Sequence, residues 1–121
     1  MFTDKTIRCY HSNVLDSQMR REIRVFLRDE AHNWINKPEN KEQGFYAYKL
    51  VGKDSTAWSM YPLTELYASL LERYKGNAAK AKAESGRAVG LLLKQALRDD
   101  TEYEYALQPG YKMKYTLRKK L

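Results

Sequence analysis

Residues 84–100, ESGRAVGLLLKQALRDD, decide how this chain is read. Taking Ser85 as a helix N-cap and advancing 100° per residue gathers Val89, Leu92, Leu93, Ala96 and Leu97 on one side. That stripe is a core face. Arg87, Lys94, Gln95 and Arg98, with Leu91, gather on the opposite side. This outer set is either a solvated face or a surface that reads a polyanion. The helix should end near Arg98, where Asp99, Asp100 and Thr101 break the pattern. A glycine inside a helix costs about 0.5–1 kcal/mol. Two of them, Gly86 and Gly90, therefore suggest tight packing or a tight entry, with Gly90 near the edge a neighbouring helix would approach.

Downstream, TEYEYAL (101–107) and KMKYTLRKK (112–120) both alternate and flank QPGY. They predict a hairpin with a loop of three or five residues. The preferred register sets Leu107 against Met113, Tyr105 against Tyr115 and Tyr103 against Leu117, with Glu102 facing Arg118 on the other side.

Upstream, AAKAKAE (78–84) predicts a short separate helix. Pro62 opens another, with Leu63, Leu66, Tyr67, Leu70, Leu71 and Tyr74 on its stripe, and Gly76 and Asn77 end it. FYAYKLV (45–51) and TAWSMY (56–61), around GKDS, read as a short β-hairpin. NKPENKEQG (36–44) is a polar loop. Residues 16–36 form a strong amphipathic helix through Met19, Ile23, Phe26, Leu27, Ala31, Trp34 and Ile35. KTIRCYH (5–11) is a candidate strand.

The expected class is α+β in one domain of 121 residues. Residues 1–61 supply an N-terminal helix and a short β-hairpin. Residues 62–118 form a winged helix-turn-helix-like core with the C-terminal hairpin as wing, and 119–121 are a basic tail. Helices 63–75, 78–83 and 85–98 supply the three core helices in one arrangement. In another, helix 16–36 is first, with a strand at 45–51. In either case the helix at 85–98 enters a major groove and the hairpin touches backbone.

WSMYPLTELYASLLERY followed by SGRAVGLLL resembles the C-terminal winged-helix segment of phage and plasmid primase-helicases, over residues 56–118. Trp58, Leu66, Tyr67, Ser85, Gly90 and Leu93 match. Val89 stands where that family has an aromatic residue, and Tyr74 is the nearest substitute for its tryptophan at the end of the first helix. The resemblance implies a nucleic-acid-binding module of a mobile element. It implies no primase or helicase activity, since the chain has neither an ATP-binding glycine loop nor a nucleotidyl-transfer carboxylate set.

The totals agree with a nucleic-acid partner. The net charge is +7, which favours polyanions and argues against an acidic DNA mimic. The charge is uneven: residues 1–61 carry 10 basic and 8 acidic side chains, residues 62–121 carry 12 and 7. The single cysteine, Cys9, permits no internal disulfide and points to a reducing compartment. The N-terminal MFTDKTIRCYHSN has no apolar run and no stretch approaches a membrane span, so a cytoplasmic protein without a membrane partner is expected.

Catalysis and metal binding have little to stand on. Cys9, His11 and His32 are too few for a structural zinc, and no third group orients a Cys/His nucleophile pair. Asp99, Asp100, Glu102 and Glu104 are the densest carboxylates. Cross-strand pairing of Glu102 and Glu104 with Arg118 and Thr116 explains them better than two-metal chemistry does. No enzyme, cofactor or metal is expected. Arg20, Arg21, Arg24 and Arg28 read as a solvated face paired with Glu22, Asp29 and Glu30, with phosphate contact as the sharper alternative.

The function expected is DNA binding, duplex or single-stranded, in replication or regulation of a phage or mobile element. Arg87, Lys94, Gln95 and Arg98 would face bases and phosphates, Lys112 and Lys114 would contact backbone, and Arg118, Lys119 and Lys120 would add an electrostatic contact. RNA is a further candidate, with tyrosines stacking on unpaired bases. The rival reading is a protein-binding module, such as a phage-encoded inhibitor or adaptor that engages an acidic host protein. Ten tyrosines and many arginines suit a protein interface as well.

Overall fold

The computed structural model describes residues 17–40, 43–52, 54–110 and 112–121, apart from the side chain at position 56. The candidate strand at 5–11, with Cys9 and His11, lies outside the described residues. Helices α1 (Ser17–Ile35), α2 (Ala47–Val51), α3 (Leu63–Arg73) and α4 (Ala78–Arg98) precede strands β1 (Tyr103–Gln108) and β2 (Lys114–Lys120). Short 3-10 turns lie at Pro38–Asn40 and Ser55–Ala57. The class is α+β, with a two-stranded antiparallel hairpin at the C-terminal end. No helix among the described residues is long and apolar enough to cross a membrane.

α4 is the centre of the molecule and packs on α1, α3 and β1. Its stripe of Ala81, Ser85, Ala88, Val89, Leu92, Leu93, Ala96 and Leu97 is buried. Opposite it stand Ile23, Leu27, Ala31 and Ile35 of α1 and Leu63, Leu66 and Leu70 of α3, all buried.

α4 corrects the expected break before Ser85. The helix runs unbroken for 21 residues from Ala78, and its N-cap is Asn77, whose side chain accepts from the Lys80 amide at 3.1 Å. Ser85 caps nothing. It is fully buried and its hydroxyl donates to the Ala81 carbonyl at 2.6 Å, the back-bond a serine makes inside a helix. Four alanines between 78 and 83 propagate the helix, and no residue there stops it. The arrangement with separate helices at 78–83 and 85–98 is therefore excluded. The tight turn falls one element earlier, at 74–77. There Lys75 (φ 54°) and Gly76 (φ 84°) take left-handed conformations, and the Gly76 amide bonds the Leu71 carbonyl at 2.8 Å.

The β-hairpin expected at 45–61 is also absent among the described residues. Phe45 alone bridges to Tyr115, amide to carbonyl in both directions at 2.7 and 2.8 Å. The chain then turns helical at Ala47–Val51 and ends on Gly52, at φ 86°. Tyr46 and Tyr48 suggested a strand by their β-propensity. Ala47, Leu50 and Val51, at helical spacing and packed on the core, decide otherwise.

The C-terminal hairpin forms with a five-residue loop and a register two residues from the preferred one. Leu107 opposes Tyr115, Tyr105 opposes Leu117 and Gln108 opposes Lys114. Between Tyr105 and the loop, this slip of two keeps each side chain on its expected face. Tyr105 and Tyr115 are buried against Phe45, with ring centroids 6.3 and 5.7 Å from it. An irregularity between Glu104 and Tyr105 then sets Glu104 opposite Lys119 and Tyr103 opposite Lys120. Lys119 and Lys120 are thus the end of β2 and not a flexible tail.

Candidate functional site

The outer face of α4 lies where the sequence placed it. Arg87 and Arg98 are exposed, and Leu91, Lys94 and Gln95 are half-buried. The expectation attached to the glycines fails, however. A β-carbon built on Gly86 or on Gly90 meets nothing within 4 Å, so neither marks a close helix contact. Both instead border an open groove of about 520 Å³ between α4, the segment 46–58 and the hairpin loop. The bare helix backbone makes part of its wall.

The lining is mostly apolar and aromatic. Tyr46 and Tyr48 stack with centroids 5.4 Å apart and planes 5° from parallel. Trp58 borders the groove with its indole N–H donated to the Val51 carbonyl at 2.9 Å. Ser55 also lines it; that residue is buried, and its hydroxyl has no hydrogen-bond partner among the described residues.

The rim is cationic. Lys82, Arg87 and Lys94 of α4 and Lys112 of the hairpin loop all border the groove. Lys82 lies 3.7 Å from Asp54, a long, exposed pair of the kind worth little, and Arg87 lies 3.8 Å from the half-buried Glu84. Lys94 and Lys112 have no carboxylate partner among the described residues. The Lys112 ammonium sits 4.9 Å from the centre of the Tyr48 ring. Lys114 continues this surface round the loop beside Gln108 and Gly110.

The remaining candidates lie elsewhere. Arg98 stands 3.5 Å from Asp99, and Arg118 and Lys119 both approach Glu104, at 3.4 and 3.9 Å. A phosphate would have to displace that carboxylate. Gln95 is half-buried and is not a groove residue. On α1, Arg28 pairs with Asp29 at 3.3 Å.

A second polar cluster went unread in the sequence because its members lie up to 70 positions apart. His32 of α1 meets Asp100 at 2.5 Å through Nε2 and Glu102 at 3.6 Å through Nδ1. Asp100 Oδ2 also accepts from the Tyr105 hydroxyl at 3.2 Å, and Oδ1 accepts from the Glu102 and Tyr103 amides at 2.8 and 3.3 Å. Burial pushes the Asp100 carboxyl up, but the hydrogen bonds and charge around it outweigh that, and it ends below its ordinary value. Burial and the Asp100 carboxylate hold the Tyr105 hydroxyl far above the usual tyrosine range. The His32, Asp100 and Glu102 donor atoms lie within 4.8 Å of one another. The two carboxylates flank opposite nitrogens of one ring, however, and Asp100 spends its oxygens on His32, the Tyr105 hydroxyl and the Glu102 and Tyr103 amides. The cluster reads as a lock between α1, the end of α4 and β1.

Comparison with known proteins finds no matching family model, no matching curated protein and no matching solved structure.

Proposed function

We propose that this protein binds nucleic acid through the outer face of α4 and the hairpin loop. The observation that carries the reading is the convergence of Lys82, Arg87, Lys94 and Lys112 on one groove, although they come from two elements and a span of thirty residues. Convergent cations over an aromatic floor suit a phosphate backbone with accessible bases.

The element order supports a winged-helix reading with α1 first, α3 second and α4 third. A four-residue turn containing glycine joins α3 to α4, Phe45 bridges to β2, and the hairpin follows α4. The resemblance of residues 56–118 to the winged-helix segment of primase-helicases points to the same class, and with it to a role in replication or regulation of a mobile element.

The test is an electrophoretic shift with duplex DNA, single-stranded DNA and RNA at two salt concentrations. Binding should weaken steeply as salt rises. Arg87→Ala and Lys94→Ala should each weaken it with circular dichroism unchanged. Absence of salt-dependent affinity for any nucleic acid overturns the reading and leaves an acidic protein partner as the alternative to pursue.

A further inference from the structure

The groove has a composition that a phosphate-contact surface alone does not need. Duplex backbone recognition calls for cations on a convex or flat face. Here the cations surround a concavity whose lining is aromatic and aliphatic, and whose volume of about 520 Å³ falls in the roughly 300–1,000 Å³ range of small-ligand sites. Trp58 has already given its N–H to Val51, so what it offers a ligand is its ring. The Ser55 hydroxyl at the edge of the groove is buried, with no hydrogen-bond partner among the described residues.

We infer that the groove receives one unstacked nucleotide of a single-stranded nucleic acid, with its base among Tyr48, Trp58 and the Gly86–Gly90 wall. The inference rests on the nucleic-acid reading above and narrows it to a strand type. The flanking phosphates meet Lys94 and Lys112, the two rim cations without carboxylate partners among the described residues. A paired base is stacked within its duplex and cannot enter, so the site discriminates by strandedness more than by sequence.

The groove-filling variant Gly90→Leu tests this directly, since position 90 has open space beyond its α-carbon and the helix accepts a side chain there. Binding is read by anisotropy of a labelled twelve-nucleotide single strand, the matching duplex and a mononucleotide, each at one moderate salt concentration. Wild type should prefer the single strand. Gly90→Leu should lose at least about tenfold in single-strand affinity and distinctly less on the duplex. Tyr48→Ala should lose about 5- to 150-fold on the strand, the range expected for one stacked base. Circular dichroism confirms folding of both variants.

Equal wild-type affinity for strand and duplex, with Gly90→Leu binding both as wild type does, overturns the inference and leaves nucleic-acid binding standing. A mononucleotide bound as tightly as the strand overturns the assignment to a strand and makes the free nucleotide the ligand. Failure of wild type to bind either nucleic acid overturns both readings together.

Discussion

The C-terminal end of α4 and its middle hold polar groups under opposite conditions. At the C-terminal end, Asp100 is enclosed and every oxygen is used: His32 and Tyr105 on one, two backbone amides on the other. Around Gly86 and Gly90, a buried hydroxyl and two lysines have no such partners among the described residues, and the space beside the two glycines is open. The first region is complete without a ligand. The second is where the proposed ligand would add partners. Partner accounting separates the two more sharply than residue type does, because charged and aromatic side chains crowd both.

The largest effect that would break this contrast is at Asp100. Asp100→Ala leaves His32, Tyr105 and two amides without their acceptor and should cost about 3–5 kcal/mol in denaturant unfolding. A loss below about 1 kcal/mol would show that the closed end is no lock. The carboxyl lies below its ordinary value in the folded chain, so its contribution is present above about pH 4 and disappears as pH falls through the folded value. Asp100→Asn should flatten that acid limb.

The core between the two regions supplies the next test. Leu92 is buried and Leu91 only half so. Leu92→Ala should cost about 2–5 kcal/mol and Leu91→Ala distinctly less. Equal losses would mean that the helix face is misassigned.

The Tyr115 hydroxyl gives a smaller, pH-dependent effect. Burial pushes it up to about 12, above its ordinary value of 10.0. The unfolded chain releases this proton first, so stability is complete below pH 10 and falls as pH rises toward 12, by up to about 3 kcal/mol. Tyr115→Phe should make the alkaline limb shallower in unfolding midpoints measured from pH 9 to 12.

The smallest effect has the opposite sign. Gly86→Ala adds a methyl to open space in a helix interior and should stabilise the fold by about 0.5–1 kcal/mol. Destabilisation there would mean that the open region is occupied by packing after all.

Where an element's signal was a periodic stripe, the sequence was sufficient. The stripes of α1, α3 and α4 and the outer face of α4 could all be read from spacing, as could the alternation of the hairpin. Where one residue type had two meanings, it was not. Ser85 serves equally as a cap or as a buried back-bonding hydroxyl, and only the alanine run before it favours the second. Tyr46 and Tyr48 outweighed the helical spacing of Ala47, Leu50 and Val51. The lock was illegible because His32 and Asp100 meet only through the packing of α1 on α4. The groove was illegible because its defining feature is two missing side chains. The glycines were visible in the sequence, but their cost was assigned to close approach when it belonged to open space.

Gly44 carries a consequence for how the chain tolerates change. It lies in a polar, irregular stretch, and such stretches ordinarily accept almost any residue. A β-carbon at Gly44 would stand 2.5 Å from Cε of Lys114 and 2.8 Å from Oγ1 of Thr116. The long lysine stem can swing aside, whereas the threonine is β-branched and held in the β2 ladder. A saturation library of this chain should therefore show a glycine-only position next to the buried Phe45, set by a strand seventy residues further along the chain.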